Sequence, residues 1–98
     1  MARKLIIAAN WKMNKGPSAT AEFLESFLPG TEQVSDACDM VVAPPFVSIP
    51  AAAALLADSV VGISAQNVSD REEGAFTGEI STSMLVEVGV EYVILGHS

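Results

Sequence analysis

Apolar residues along this chain fall into short blocks with two different spacings. Residues 4–9 are apolar almost throughout and predict a first β-strand. Across residues 17–28, Ala21, Phe23, Leu24, Phe27 and Leu28 recur at three- and four-residue intervals, the amphipathic face of a helix. Gly16 and Pro17 open that helix, because a first turn has N–H groups without intrahelical partners and tolerates proline; Pro29 and Gly30 close it. Residues 40–43 predict a second strand, ended by Pro44 and Pro45. The alanine-rich residues 49–57 predict a second helix, with Pro50 near its start, and residues 60–65 a third strand. A polar stretch over residues 66–79 leads to a short helix at 83–88 that ends at Gly89. Residues 92–95 are a fourth strand.

Strands that are apolar on both faces and alternate with helices indicate an α/β fold, a parallel sheet built from βαβ units with right-handed crossovers. The order is β-α-β-α-β-α-β. Ligands of parallel α/β folds bind at the carboxyl ends of the strands, and the unusual residues of this chain lie there. Asn10-Trp11-Lys12-Met13-Asn14 follows the first strand and Pro44-Pro45-Phe46 the second; Gln66-Asn67 follows the third and Gly96-His97-Ser98 the fourth.

Composition narrows the function classes. Of the 98 residues 50% are hydrophobic and only 17% charged, with a mean hydropathy of +0.40, which excludes intrinsic disorder. No apolar run approaches the ~18 residues of a membrane-spanning helix. The basic start resembles a signal peptide, but its apolar run from Leu5 to Ala9 is shorter than the ~7–15 residues of a secretory core. A cytoplasmic protein is expected, with no membrane partner. Twelve acidic residues against five basic ones leave a net charge of −7. Arg3, Lys4, Lys12, Lys15 and Arg71 form no basic stripe, so no nucleic-acid partner is expected. One cysteine and one histidine supply no zinc set, and no metal is expected. Cys38 reads as a small buried apolar residue. So short a chain buries only about 60–65% of its unfolded surface, a poor match to its apolar content.

Several residues invite a chemical role beside a plainer one. Lys12, in a polar segment between two asparagines, is either a solvated loop lysine or a compact cation for a phosphate or a developing oxyanion. His97 is either structural or a neutral imidazole able to polarise a carbonyl. Trp11 and Phe46 read as packing residues. Residues 74–81 make a long loop for a compact α/β unit, a flexible insertion or an interface. Asp70, Arg71, Glu72 and Glu73 read as a solvated face. No glycine-rich phosphate loop of either nucleotide-binding type is present.

Together, five segments carry a specific likeness. Asn10 to Asn14, Ala43-Pro44-Pro45-Phe46, Ala65-Gln66-Asn67, residues 74–81 and the terminal residues 92–98 closely resemble triosephosphate isomerase, in that family's order and spacing. The resemblance runs from about Lys4 to Ser98. It implies a partial (β/α)8 TIM barrel, about three βα units plus the fourth strand, with residues 1–98 as a single N-terminal domain of four parallel strands and three helices. It also implies a glycolytic and gluconeogenic isomerase that interconverts dihydroxyacetone phosphate and glyceraldehyde 3-phosphate by enediolate proton transfer, without a cofactor.

By the same resemblance Asn10 and Lys12 bind substrate, with Lys12 placing positive charge near the phosphate and the enediolate oxygen. His97 is the catalytic electrophile. The long loop is the family's dimer loop, where Thr77 reaches toward Asn10 and Lys12 of a neighbouring subunit and Gln66 and Glu79 support the interface. The resemblance further implies a glutamate base, a neutral histidine whose pKa a helix N-terminus lowers, and a loop that excludes water. That base, the closing loop and the phosphate loops belong to the other half of the barrel. No glutamate here sits in the family's base motif, and Ser98 precedes the helix that would tune His97.

Three expectations follow. These 98 residues are a part of the isomerase that is inactive alone and functional when joined to or complemented by the rest. The alternative is a shortened, non-catalytic half-barrel that folds by self-association; a more distant one is a small phosphate-binding α/β module. Homo-oligomers are expected through the exposed strand edges and the 66–79 loop, since unpaired edges template further pairing.

Overall fold

The structure, a computed structural model, describes residues 5–96. Lys4, where the first strand was expected to begin, and His97 and Ser98 lie outside the described residues. Strands β1 (Leu5–Asn10), β2 (Cys38–Ala43), β3 (Val61–Ala65) and β4 (Tyr92–Val93) alternate with helices α1 (Pro17–Phe27), α2 (Ile49–Leu56) and α3 (Thr82–Glu87). All neighbouring strands are parallel, in the order β1-β2-β3-β4. Register sets the strand ends side by side: Asn10 stands opposite Ala43, and Ala65 opposite Val93.

The core lies between this sheet and its helices. Leu24 of α1, Ile49, Ala52 and Leu56 of α2, and Leu85 of α3 pack with Val42, Val61, Ile63 and Ala65 of the central strands. The three- and four-residue spacing explains why α1 buries Thr20 and Leu24, one turn apart. Trp11 and Phe46 pack against the core, as their aromatic character predicts. No helix among the described residues is long and apolar enough to cross a membrane.

Beyond shifts of one or two residues at the ends of β2, β3, α2 and α3, four details differ from the sequence-based expectation. Pro29 and Gly30 end α1 but not the helical chain, which continues as a 3₁₀ helix over Leu28–Val34. Proline fits there because it occupies the first turn of that helix, where no N–H is needed. Strand β4 is two residues rather than four, although the Ile94 N–H still donates to the Ala65 carbonyl. Cys38 is half-buried rather than buried, at the start of β2 beside the 3₁₀ segment, with its thiol directed at the Val34 carbonyl. Finally, burial on both faces holds for the ends of β2 and β3 but not for β1. Leu5, Ile6 and Ile7 are 68%, 57% and 57% exposed, because strand side chains project from the faces of the sheet and the described core packs against β2 and β3 but includes no residue of β1.

Candidate active site

At the carboxyl end of the sheet, the segment after β1 is held by an almost complete set of hydrogen bonds. The Asn10 side-chain oxygen accepts from the Lys12 N–H at 2.9 Å, an asparagine turn of the kind a short amide favours. The Trp11 N–H donates to the Ala43 carbonyl at 3.1 Å, extending the β1–β2 ladder by one bond. The Trp11 carbonyl accepts from the Asn14 side chain at 2.8 Å. Gln66, the first residue beyond β3, sends its side-chain NH₂ to the Lys12 carbonyl at 2.8 Å and the Ala43 carbonyl at 2.7 Å. One amide thus joins the ends of three strands, using both of its N–H donors.

Lys12 adopts a φ of 55° and Lys15 one of 70°, the two non-glycine residues with positive φ among those described. This region is rarely entered by residues with a Cβ and marks stored strain, which persists where surroundings over-determine the backbone. At Lys12 those surroundings are Asn10 and Gln66. The Lys15 carbonyl accepts from Ser48 Oγ at 2.6 Å and Thr20 Oγ1 at 3.3 Å. Its ammonium lies 5.0 Å from the Phe23 ring centre and 5.8 Å from that of Trp11, within reach of the negative ring faces. Trp11 and Phe23 meet edge to face at 5.4 Å. Lys12 itself is exposed, at the carboxyl end of the sheet.

The structure therefore brings Asn10, Lys12 and Gln66 into one hydrogen-bonded group. Thr77 and Glu79 take no part in it. Both are exposed in the long loop, which a 2.8 Å bond from the Ser69 N–H to the Ile80 carbonyl closes at its base. Gly74 and Gly78 turn the loop with φ of 134° and 85°, and a 3.0 Å bond from the Glu79 N–H to the Phe76 carbonyl tightens its tip. His97 lies outside the described residues. Thr82 donates a side-chain hydrogen bond to Glu72, and the hydroxyls of Thr82 and Ser83 hold the Glu72 carboxyl below the usual carboxylate range. Residues 70–73 are all exposed, the solvated face the sequence suggests, and Glu72 is the member of it with a side-chain partner. Arg71 and Asp70 approach to 3.7 Å at the exposed surface, where such a pair adds little stability.

Lys15, Thr20 and Ser48 were not among the residues that sequence reasoning selected. One signal was available: Thr20 sits on the same helix face as Leu24 and Phe27, and a hydroxyl on a core-facing stripe needs a buried partner.

The family model for triosephosphate isomerase matches residues 5–98. The chain belongs to the triosephosphate isomerase family. The triosephosphate isomerases of Symbiobacterium thermophilum and Flavobacterium johnsoniae are 49% and 50% identical to it over 96 residues, 98% of the chain. That of Acetivibrio thermocellus is 48% identical over 99 residues, 100% of the chain. The matched part is 37–38% of those proteins, so the chain spans less than two-fifths of the length of the curated relatives it matches. Its four parallel strands and three helices are the N-terminal part of the triosephosphate isomerase (β/α)8 barrel.

Proposed function

We propose that these residues supply one wall of a triosephosphate isomerase active site, in a cytoplasmic enzyme that interconverts dihydroxyacetone phosphate and glyceraldehyde 3-phosphate. The observation that carries this reading is the strained, multiply anchored loop that presents Lys12 beyond the carboxyl end of β1. A lysine held there adds a fixed positive charge that favours both the substrate phosphate and the oxyanion of the enediolate. Asn10 orients that lysine and faces the same end of the sheet. His97, following β4, supplies the neutral imidazole that hydrogen-bonds the substrate oxygens while a proton moves between carbons. The reaction needs no cofactor.

The glutamate base and the phosphate-gripping loops of the family are not among these 98 residues, so by themselves they do not turn over substrate. In the assembled enzyme the 66–79 loop serves a homo-oligomer interface, where Thr77 approaches Asn10 and Lys12 of a neighbour and Gln66 and Glu79 support the contact. The exposed edge of β1 supports a second property, self-association of the 98 residues when separated from the rest of the barrel.

The test is an isomerase assay of the purified 98 residues, alone and mixed with the remaining segment of the barrel. The expected result is no turnover alone and measurable turnover on mixing. Turnover by the lone chain near that of a complete enzyme would overturn the first part of the proposal. Saturable binding of triose phosphate with no turnover in either sample would replace it with a phosphate-binding module.

A further inference from the structure

The carbonyl of Lys15 receives two hydroxyl donors, from two separate elements. Ser48 comes from the turn that leads into α2, and Thr20 from the first turns of α1. Both side chains are 0% exposed. Their own backbone groups are satisfied locally, the Ser48 N–H by the Pro45 carbonyl at 2.9 Å and the Thr20 N–H by the Gly16 carbonyl at 3.0 Å. Each hydroxyl donates to the Lys15 carbonyl, Ser48 at 2.6 Å and Thr20 at 3.3 Å. A carbonyl oxygen has two lone pairs, and filling both from fixed elements sets the direction of the peptide that follows residue 15.

That direction belongs to a left-handed residue, with φ of 70°. Three residues earlier Lys12 is left-handed as well, and its own carbonyl is taken by Gln66. The segment between them is pinned at both ends and crossed by the bond from Asn14 to the Trp11 carbonyl. The Lys15 ammonium over Phe23 and Trp11 draws the near end of the loop toward α1. Relaxation of residue 15 out of the left-handed region would rotate the chain between the two pins, and the exposed Lys12 would move with it.

We infer that Ser48, assisted by Thr20, is a positioning residue for Lys12, acting through the Lys15 carbonyl. The inference rests on the proposed isomerase role of Lys12, but the backbone clamp itself does not. Neither hydroxyl reaches the strand-end surface, and neither belongs to the segments that carry the family likeness.

The experiment uses the complete isomerase barrel carrying these residues, with Ser48→Ala, the near-isosteric Thr20→Val, Lys15→Gly, and Ser48→Ala combined with Lys15→Gly. Ser48→Ala should lower kcat/KM roughly three- to tenfold, as expected for loss of one hydrogen bond, and Thr20→Val should lower it less. Glycine occupies the left-handed region without strain, so in the Lys15→Gly background the Ser48→Ala loss should shrink to less than twofold, by roughly the coupling that contacting residues show. A hydroxyl that merely fills the core would cost the same whatever stands at position 15, and that outcome overturns the inference. NMR couplings that report φ at Lys12 and Lys15 are measured on the same proteins. Unchanged couplings in both Ser48→Ala and Thr20→Val also overturn it. If the unmodified barrel shows no turnover, the isomerase reading fails while the couplings still decide the clamp. Should Ser48→Ala not fold, Thr20→Val, alone and combined with Lys15→Gly, carries both measurements.

Discussion

Lys12 and Glu72 show how differently two exposed charges can be set by their neighbours. Lys12 is held by its backbone: Asn10 takes its N–H, Gln66 its carbonyl, and its φ of 55° persists because both bonds require it. Replacing the side chain leaves those bonds in place, so Lys12→Met in the complete isomerase should remove charge without moving the loop. Steady-state assays should show kcat/KM falling by about 10²–10³, the scale of losing one preorganised electrostatic donor. Glu72 is held by its side chain, through hydrogen bonds that lower its pKa. A group with a depressed folded-state pKa adds stability that is present above its unfolded pKa and lost as pH falls through the folded value. Stability should therefore decline as pH drops below the usual glutamate range, and Thr82→Val should flatten that decline. Urea midpoints measured across acidic pH for both proteins check it; parallel curves would contradict the assignment. Residue chemistry was legible in the sequence where it depended on neighbours in the chain, as for Lys12 between two asparagines. It was not legible for Ser48, whose partner lies 33 residues earlier, nor for Gln66, whose acceptors are the end of β2 and the loop after β1.

Elements were legible where one local feature decided them. Helix α3 was legible at its Gly89 end, whereas its start at Thr82 rather than Ser83 is set by a cap the reading did not name. Ser81 accepts from the Met84 N–H as a side-chain cap, and beyond the helix Gly89 takes a φ of 93°. There the Gly89 N–H bonds the Val86 carbonyl and the Val90 N–H bonds the Leu85 carbonyl, the paired closure that requires a left-handed residue after the last turn. Gly89→Ala should destabilise the protein by about 1–2 kcal/mol, seen as a lower denaturant midpoint with unchanged slope. The 3₁₀ continuation after α1 was hidden because Pro29 bars an α-helical bond but is neutral at the start of a new turn. The shortness of β4 was hidden for a different reason. An apolar run states that a segment is buried somewhere, whereas strand length depends on how far its neighbour runs alongside, and β3 ends at Ala65.

On the scale of the whole molecule, the mismatch between short length and high apolar content is explained by where the apolar residues went. The central strands and the helix faces account for the core, while β1 leaves Leu5, Ile6 and Ile7 largely exposed. The matched residues make up less than two-fifths of the relatives' length, so most of those proteins has no counterpart in these 98 residues. For the 98 residues alone, charge on that strand should oppose pairing, as lysine does on natural edges. Ile7→Lys should shift sedimentation toward the monomer and leave the helical circular-dichroism signal in place. An unchanged oligomer would place the association elsewhere.

The strand order has a consequence for how the molecule comes into being. Because position in the sheet repeats position in the chain, a ribosome releasing this sequence never has to insert a later strand between two earlier ones. Each βα unit can settle against its predecessor as it emerges, N-terminal segments first. Among the described residues the growing edge is always the newest strand, and β1 keeps its outer flank open throughout. The loop that presents Lys12 matures on another schedule: its Gln66 and Ser48 anchors are translated long after it, so the left-handed lysines are set only once the second and third units have arrived.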